Sequence, residues 1–189
     1  MKVLAPKDEN ELGRMLKTAL SLEGPVALRY PRGEGLGAAL EEPFAPLPDL
    51  RAEVLEEEGE IALLAVGSMV DAAQKTAKLL KEEGLSAAVV NMRTVKPLDE
   101  ELLHRMAHEK KLLVTMEENA LAGGFGSAVL EALAAAGLLV PVVRFGIGDA
   151  FIEQGKPQEL LEMAGLQPEQ MARRILAAWK GARDGEGAA

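Results

Sequence analysis

Arg29 and Arg32 are the residues of this sequence whose type and position most suggest binding chemistry. They lie at the end of the apolar run 26–30, which is typical of a β-strand, within the sequence Arg-Tyr-Pro-Arg-Gly. Open α/β sheets bind ligands beyond the carboxyl ends of their strands, and a guanidinium can hold a phosphate or carboxylate with its planar fork. The pattern therefore favours an anion site, and a salt bridge to the acidic segment that follows is the alternative.

His104 and His108 stand four residues apart, a spacing that can place both on one helix face beside a zinc ion. The sequence lacks a third ligand at a zinc-site spacing, and Arg105 and the pair 110–111 (Lys-Lys) would disfavour a cation there. We therefore interpret the two histidines as part of a solvated helix face.

Ser68 follows a predicted strand and precedes a predicted helix. The sequence holds no G-x-S-x-G elbow and no cysteine, so neither common nucleophile arrangement is present. Serine is a favoured helix N-cap residue. We expect Ser68 to cap the helix rather than to act as a nucleophile.

The segment 124–126 (Gly-Phe-Gly) has the first two glycines of a dinucleotide-binding fingerprint, but Val129 occupies the position of the third. Its phenylalanine is bulky where a pyrophosphate needs close backbone approach. Glu117 and Glu118 lie just upstream and would repel a phosphate. The glycines are better explained as letting a helix leave its strand at close range.

Strand–turn–helix units repeat from Gly59 to about Lys180 and must position these candidates. The predicted strands are 61–66, 87–92, 112–116 and 141–145, and the predicted helices are 69–83, 99–108, 127–136, 157–164 and 168–180. Such alternation predicts an α/β fold with an open, mostly parallel sheet and helices on both faces. A short edge strand at 51–55 allows one antiparallel strand.

Residues 1–33 supply only one predicted helix (7–22) and one strand (26–30), which cannot bury each other's faces. We expect them to be the remnant of a second α/β domain, with an unpaired strand that docks onto something else. Residues 34–58 are predicted to be an acidic, surface-running linker rich in glycine and proline. Residues 181–189 are predicted to be a disordered tail.

Composition excludes several classes of protein. The chain has 189 residues, 48% of them hydrophobic, which is enough for a sizeable core. With no cysteine it has neither disulfides nor thiolate metal sites, which fits a reducing compartment. Its net charge of −9, without a basic segment, argues against a nucleic-acid partner. No apolar run reaches the roughly 18 residues of a membrane span, so we expect no membrane partner and a cytoplasmic location.

Five motifs occur in a fixed order along the chain. They are residues 6–11 (PKDENE), 24–33 (GPVALRYPRG), 93–99 (RTVKPLD), 114–129 (VTMEENALAGGFGSAV) and 146–155 (GIGDAFIEQG). With these motifs the sequence closely resembles the carboxyl-terminal part of the 1-deoxy-D-xylulose-5-phosphate synthase family. That family consists of thiamine-diphosphate enzymes of the transketolase superfamily, and the resemblance covers nearly the whole chain.

The resemblance implies a transferase that condenses pyruvate with glyceraldehyde 3-phosphate, a step toward isoprenoid precursors, thiamine and pyridoxal. It implies that residues 1–33 end the pyrimidine-binding domain and that residues 59–180 form the transketolase C-terminal domain. Arg32 matches the family's arginine that holds the phosphate of the aldehyde, and Arg29 is the weaker substrate-binding candidate.

In the family, the activating glutamate, the Mg²⁺ ligands and the diphosphate contacts lie upstream of the region matched here. We therefore expect no catalytic, cofactor-binding or metal-binding residue in this chain, and expect thiamine diphosphate and Mg²⁺ to bind the full-length enzyme only. The chain alone should be an inactive docking and dimerisation module. The implied partners are the N-terminal domains of the same enzyme and a second subunit of a homodimer. The alternatives are the C-terminal part of a transketolase or of a 2-oxo-acid dehydrogenase beta subunit.

Overall fold

The computed structural model describes the backbone of residues 1–186 and the side chains of residues 1–181. Within this range the strands are β1 (Lys2–Leu4), β2 (Val26–Leu28), β3 (Glu53–Glu56), β4 (Ile61–Ala65), β5 (Ala87–Asn91), β6 (Thr94–Lys96), β7 (Leu112–Ala120) and β8 (Val142–Ile147). The helices are α1 (Glu9–Ser21), α2 (Met69–Glu82), α3 (Glu100–Glu109), α4 (Phe125–Ala135), α5 (Pro157–Met163) and α6 (Pro168–Glu186).

The main sheet has the strand order β3-β5-β4-β7-β8. Strands β5, β4, β7 and β8 are parallel, and β3 pairs with β5 in the antiparallel direction. The predicted fold class is confirmed, including the antiparallel edge strand.

Alternating side chains of the central strand β4 build the two halves of the core. Ile61, Leu63 and Ala65 pack with α2 and α6, while Ala62 and Leu64 pack with α3 and α4 on the opposite face. Every residue of β4 is fully buried. A strand buried on both faces gives an uninterrupted apolar run, which explains why it could be predicted from the sequence.

A second, smaller sheet combines the two strands of residues 1–33 with β6, in the order β2-β1-β6. Strand β1 pairs with β2 in parallel and with β6, from the C-terminal part of the chain, in antiparallel fashion. The expectation of an unpaired strand in residues 1–33 is therefore wrong. Strand β1 escaped prediction because three residues are too few to show a period.

Two predicted boundaries differ from the structure by more than two residues. Strand β7 continues through the Glu-Glu-Asn sequence to Ala120, four residues beyond the predicted end at residue 116. Helix α6 extends to Glu186, so the predicted tail of residues 181–189 begins inside a helix, and residues 187–189 lie outside the described residues. Among the described helices, none combines the length and the hydropathy that a membrane crossing requires.

The segment predicted as a surface-running linker is mostly exposed and also packs along α1. The ring of Phe44 lies where Gly13 has no side chain; a β-carbon there would stand 2.7 Å from ring carbons. The backbone N–H of Leu47 donates to the hydroxyl of Thr18 at 2.8 Å, and Leu47 is buried. Successive linker residues thus contact successive turns of α1. Part of the linker contributes to the small N-terminal core.

A buried carboxylate joins α1 to the main sheet. Glu11 is only 3% exposed and accepts hydrogen bonds from the Lys7 backbone N–H (2.7 Å), the Asn91 side-chain amide (2.9 Å) and Arg93 Nε (2.8 Å). Arg93 has a left-handed backbone (φ 55°) and donates its N–H to Asn91 Oδ1 at 3.1 Å. Residues 1–33 are thus linked to the C-terminal part of the chain by ionic hydrogen bonds as well as by strand pairing.

Glu53 on the edge strand β3 completes this polar cluster. Its carboxylate lies 2.6 Å from Lys7 Nζ and 3.2 Å from Arg93 Nη2. Burial acts to raise the pKa of Glu53, but the hydrogen bond and charge of Lys7 and the charge of Arg93 outweigh it and lower that pKa. We call Lys7, Glu11, Glu53, Asn91 and Arg93 the Glu11 network.

Candidate functional site

A cleft of about 330 Å³ lies where the carboxyl ends of β2 and β4 approach the start of α1. It is lined by Pro6–Glu9, Leu12, Tyr30, Pro31, Gly33–Leu36 and Ser68. Its walls therefore come from the loop after β1, the first turns of α1, the loop after β2 and the turn after β4. The two predicted arginines lie in the loop after β2, but neither of them is itself among the residues that line the cleft.

Arg32 is exposed, and its neighbours Pro31 and Gly33 both line the cleft. Arg29 is partly buried, and its backbone N–H donates to the carbonyl of Leu4 at 2.9 Å. In the part of the chain that the structure describes, neither guanidinium forms an ion pair. The alternative interpretation, a salt bridge to the acidic segment, thus finds no support in the geometry.

Three of the four charged residues that line the cleft already have partners within the chain. Asp8 caps α1 by accepting the Glu11 backbone N–H at 2.7 Å, and Lys7 binds Glu53. Glu9 accepts the backbone N–H of Gly37 at 2.7 Å. Hydrogen bonds from its own backbone N–H and from that of Gly37 lower the pKa of Glu9 and keep it ionised. A ligand anion would therefore meet its available positive charge on the loop after β2.

A second buried carboxylate, Glu117, occupies the N-terminus of α4. It is fully buried and accepts the backbone N–H groups of Phe125 and Gly126, each at 2.8 Å. These are helix N-terminal donors that could otherwise bind an external anion. A β-carbon on Gly124 would overlap the Ala120 carbonyl and the Glu117 carboxylate. The glycine turn brings the helix close to its own strand, as predicted, and the chain's own glutamate fills the anion position.

Ser68 occupies the N-cap position of α2, as predicted, but its side chain makes no capping hydrogen bond. Its hydroxyl instead donates to Glu118 Oε2 at 2.6 Å. Because β7 continues to Ala120 and lies beside β4, Glu118 comes within reach of the turn after β4. This pair links the end of β7 to the wall of the cleft. Because the two residues are fifty positions apart, no local sequence pattern predicts the contact.

His104 and His108 both lie on α3, as predicted. His108 is exposed, whereas His104 is partly buried and its Nε2 atom is buried without a hydrogen-bond partner. Among the described residues, no group of three or more His, Cys, Asp or Glu side chains is arranged to hold a metal ion. The structure brings no third ligand to the two histidines.

The family model described as "Transketolase, C-terminal domain" matches residues 50–171 of this sequence. This chain belongs to the transketolase C-terminal domain family. The match includes the edge strand β3 and ends within α6, so the family's domain corresponds to the main sheet and its helices. Residues 1–49, which carry Arg29 and Arg32, lie outside it.

The transketolase-family chain is similar over nearly its whole length to curated proteins named 1-deoxy-D-xylulose-5-phosphate synthase. It is 53% identical over 177 residues to that of Symbiobacterium thermophilum, covering 94% of this chain and 27% of the relative. It is 50% identical over 178 residues to that of Thermomicrobium roseum, covering 94% and 28%. For Synechococcus elongatus the identity is 48% over 190 residues, covering 100% and 30%.

The chain therefore spans less than a third of the length of these relatives and corresponds to their carboxyl-terminal portion. The resemblance inferred from the five motifs is confirmed. The alternatives, a transketolase or a 2-oxo-acid dehydrogenase beta subunit, are not favoured.

Solved structures show the same architecture. A chain described as "Split gene transketolase, inactive beta4 tetramer" has a TM-score of 0.82 and 34% identity, covering 94% of this chain and 57% of that one. Transketolase from Campylobacter jejuni has a TM-score of 0.68 at 23% identity, and the match covers 93% of this chain and 26% of the transketolase chain. At this identity the match shows the shared fold alone. In each case nearly all of this chain is matched, including the N-terminal segment.

Proposed function

We propose that this chain is the carboxyl-terminal part of a 1-deoxy-D-xylulose-5-phosphate synthase. We call the whole polypeptide, of which this chain is the carboxyl-terminal part, the full-length enzyme. This enzyme decarboxylates pyruvate and adds the two-carbon unit to glyceraldehyde 3-phosphate. The observation that carries this proposal is the identity of 53% over 177 residues to a synthase of that name. In this proposal the full-length enzyme works in the cytoplasm and supplies precursors of isoprenoids, thiamine and pyridoxal.

Thiamine diphosphate, bound with Mg²⁺, would supply the electron sink for the decarboxylation. The residues present here do not fit that cofactor. The backbone N–H groups at the N-terminus of α4, which could otherwise bind a phosphate, donate to Glu117, and the described side chains form no metal-binding group. We assign the cofactor site to the upstream domains and expect the chain alone to be inactive.

Calorimetry of the isolated 189-residue chain tests this assignment. Titration with thiamine diphosphate in the presence of Mg²⁺ should give no binding heat at micromolar concentrations, because the diphosphate and metal lack ligands. Magnesium-dependent binding with micromolar affinity would contradict the assignment of the cofactor to the upstream domains.

Arg32 is the residue we assign to the phosphate of glyceraldehyde 3-phosphate, with Arg29 as a weaker second contact. Arg32 is exposed, has no ion pair within the described residues, and stands between two residues of the cleft wall. A charge-assisted hydrogen bond contributes roughly 1.5–3 kcal/mol. Arg32→Ala in the full-length enzyme should therefore lower kcat/KM for the phosphorylated aldehyde by about ten- to over a hundredfold.

Kinetics with glyceraldehyde as a second acceptor test the role of Arg32. This aldehyde carries no phosphate, so its kcat/KM should change far less, and pyruvate should be affected little. Arg32→Lys should recover only part of the loss, because an ammonium keeps the charge but not the planar fork. Equal losses with the two aldehydes would refute phosphate binding by Arg32.

We assign residues 1–33 to the end of the pyrimidine-binding domain, residues 34–58 to the linker and residues 59–180 to the C-terminal domain. Leu16 and Leu20 of α1 are 54% and 82% exposed, which supports docking of the upstream domains on this helix. The similar chain described as an inactive beta4 tetramer supports self-association. Light scattering of the full-length enzyme should give the mass of a homodimer, and a monomer would contradict this assembly.

A further inference from the structure

Two adjacent residues of α1 hold the backbone of the loop that follows Arg32. Glu9 Oε1 accepts the N–H of Gly37 at 2.7 Å. The amide of Asn10 binds the same loop twice: its Nδ2 donates to the Ala39 carbonyl at 2.8 Å, and its Oδ1 accepts the Glu41 N–H at 2.9 Å. These three hydrogen bonds connect the first turn of α1 to residues 37–41.

The loop itself has little else to fix it. Gly33, Gly35 and Gly37 alternate within it, and Gly33 and Gly37 have positive φ angles of 137° and 76°. Glycine has more backbone freedom than any other residue. A β-carbon at Gly35 would overlap the Glu9 carboxylate, so the loop approaches this side chain as closely as a backbone can. Hydrogen bonds to Glu9 and Asn10 therefore replace the packing that this loop lacks.

The contact lies beside the cleft. Glu9 lines it together with Pro31 and Gly33, the two neighbours of Arg32. Upstream, the loop is fixed by the pairing of β2 with β1 and by the bond from the Arg29 N–H to the Leu4 carbonyl. Arg32 thus stands between a fixed strand end and the backbone held by Glu9 and Asn10. Both ends of the segment that presents its guanidinium are attached to the protein.

We infer that Glu9 and Asn10 are positioning residues, which hold the glycine-rich loop so that Arg32 meets a phosphate-bearing aldehyde at the cleft. This inference rests on the proposed role of Arg32. It adds that the specificity for a phosphorylated acceptor depends on two residues that act through the backbone of the loop. A loop that occupies the binding conformation only part of the time lowers the apparent affinity by that fraction.

The test uses the double variant Glu9→Ala/Asn10→Ala in the full-length enzyme. Loss of the hydrogen bonds from Glu9 and Asn10 releases the loop. If the released loop occupies its binding conformation about a tenth of the time, KM for glyceraldehyde 3-phosphate rises about tenfold. The kcat and the kinetics with unphosphorylated glyceraldehyde should stay close to those of the parent enzyme. Hydrogen exchange at the amides of Gly37 and Glu41 should become faster. Glu23→Ala, which removes an exposed carboxylate beyond the far end of α1, is the matched control. It should change neither KM for glyceraldehyde 3-phosphate nor the exchange rates at Gly37 and Glu41.

A double-mutant cycle with Arg32→Ala separates positioning from a general loss of stability. If Glu9 and Asn10 act through Arg32, replacing both of them with alanine should raise KM no further in the Arg32→Ala background. An additional tenfold rise there, equal losses with both aldehydes, or unchanged exchange at Gly37 and Glu41 would overturn the inference while leaving the role of Arg32 intact. If Arg32→Ala itself does not reduce the preference for the phosphorylated aldehyde, the proposed role of Arg32 fails, and the positioning inference fails with it.

Discussion

Replacing Glu11 with alanine should destabilise the chain more than any loss of a surface ion pair. The Glu11 carboxylate is 3% exposed and accepts hydrogen bonds from three donors on two other parts of the fold. The substitution would leave the Asn91 amide, which is fully buried, without one of its acceptors. It would also leave the Arg93 guanidinium, 11% exposed, with only the carboxylate of Glu53 and a backbone carbonyl as acceptors.

The size of the effect follows from what remains after the substitution. Removing one partner of a buried ion pair costs roughly 3–5 kcal/mol, because the other charge stays buried without compensation. Glu53, at 3.2 Å from Arg93 and 34% exposed, supplies partial compensation. We therefore expect a loss near the lower end, about 3 kcal/mol. For a chain of this size that loss corresponds to a fall in Tm of roughly 6–12 °C.

Urea and thermal unfolding of the 189-residue chain provide the assay. Glu101→Ala is the matched control, because Glu101 forms an ion pair with Arg51 in which the side chains are 76% and 63% exposed. Such surface pairs contribute at most about 1 kcal/mol. If Glu11→Ala and Glu101→Ala lower the free energy of unfolding equally, the Glu11 network does not link α1 to the main sheet as described.

Two further predictions concern other carboxylates of the fold. Gly124→Ala should destabilise the fold by roughly 1–3 kcal/mol, because the β-carbon overlaps the Ala120 carbonyl and the Glu117 carboxylate; an unchanged Tm in calorimetry would contradict this. The lowered pKa values of Glu9 and Glu53 stabilise the fold above the ordinary glutamate pKa of 4.5, and this stabilisation is lost as the pH falls through the lowered values. Urea unfolding should therefore show falling stability below about pH 4.5, and a flat profile down to pH 3 would refute the contribution.

The main sheet could be predicted from the sequence because its parallel strands are buried on both faces. An apolar run such as 61–66, followed by a helix with a four- and three-residue period, leaves few alternatives. The predicted start of α3 near residue 99 is confirmed as well, since Asp99 caps this helix by accepting the Leu102 N–H at 3.1 Å. These features depend on local spacing.

The features that escaped prediction depend on partners far apart in the chain. Glu117 is typical of a loop in the sequence, yet it continues a buried strand because two helix N–H groups satisfy its carboxylate. Glu11 and Arg93 are separated by 82 residues, and no spacing rule connects them. The docking of the linker on α1 is similar: a glycine inside a helix signals a close approach, but not which residue approaches.

The measurement that tests the proposed function most directly is product formation by the full-length enzyme from pyruvate and glyceraldehyde 3-phosphate, with thiamine diphosphate and Mg²⁺ supplied. Mass spectrometry should detect 1-deoxy-D-xylulose 5-phosphate, and release of carbon dioxide should depend on the aldehyde. The 189-residue chain under the same conditions should give neither. Transfer of a two-carbon unit from a ketose phosphate, with no product from pyruvate, would contradict the assignment and favour a transketolase.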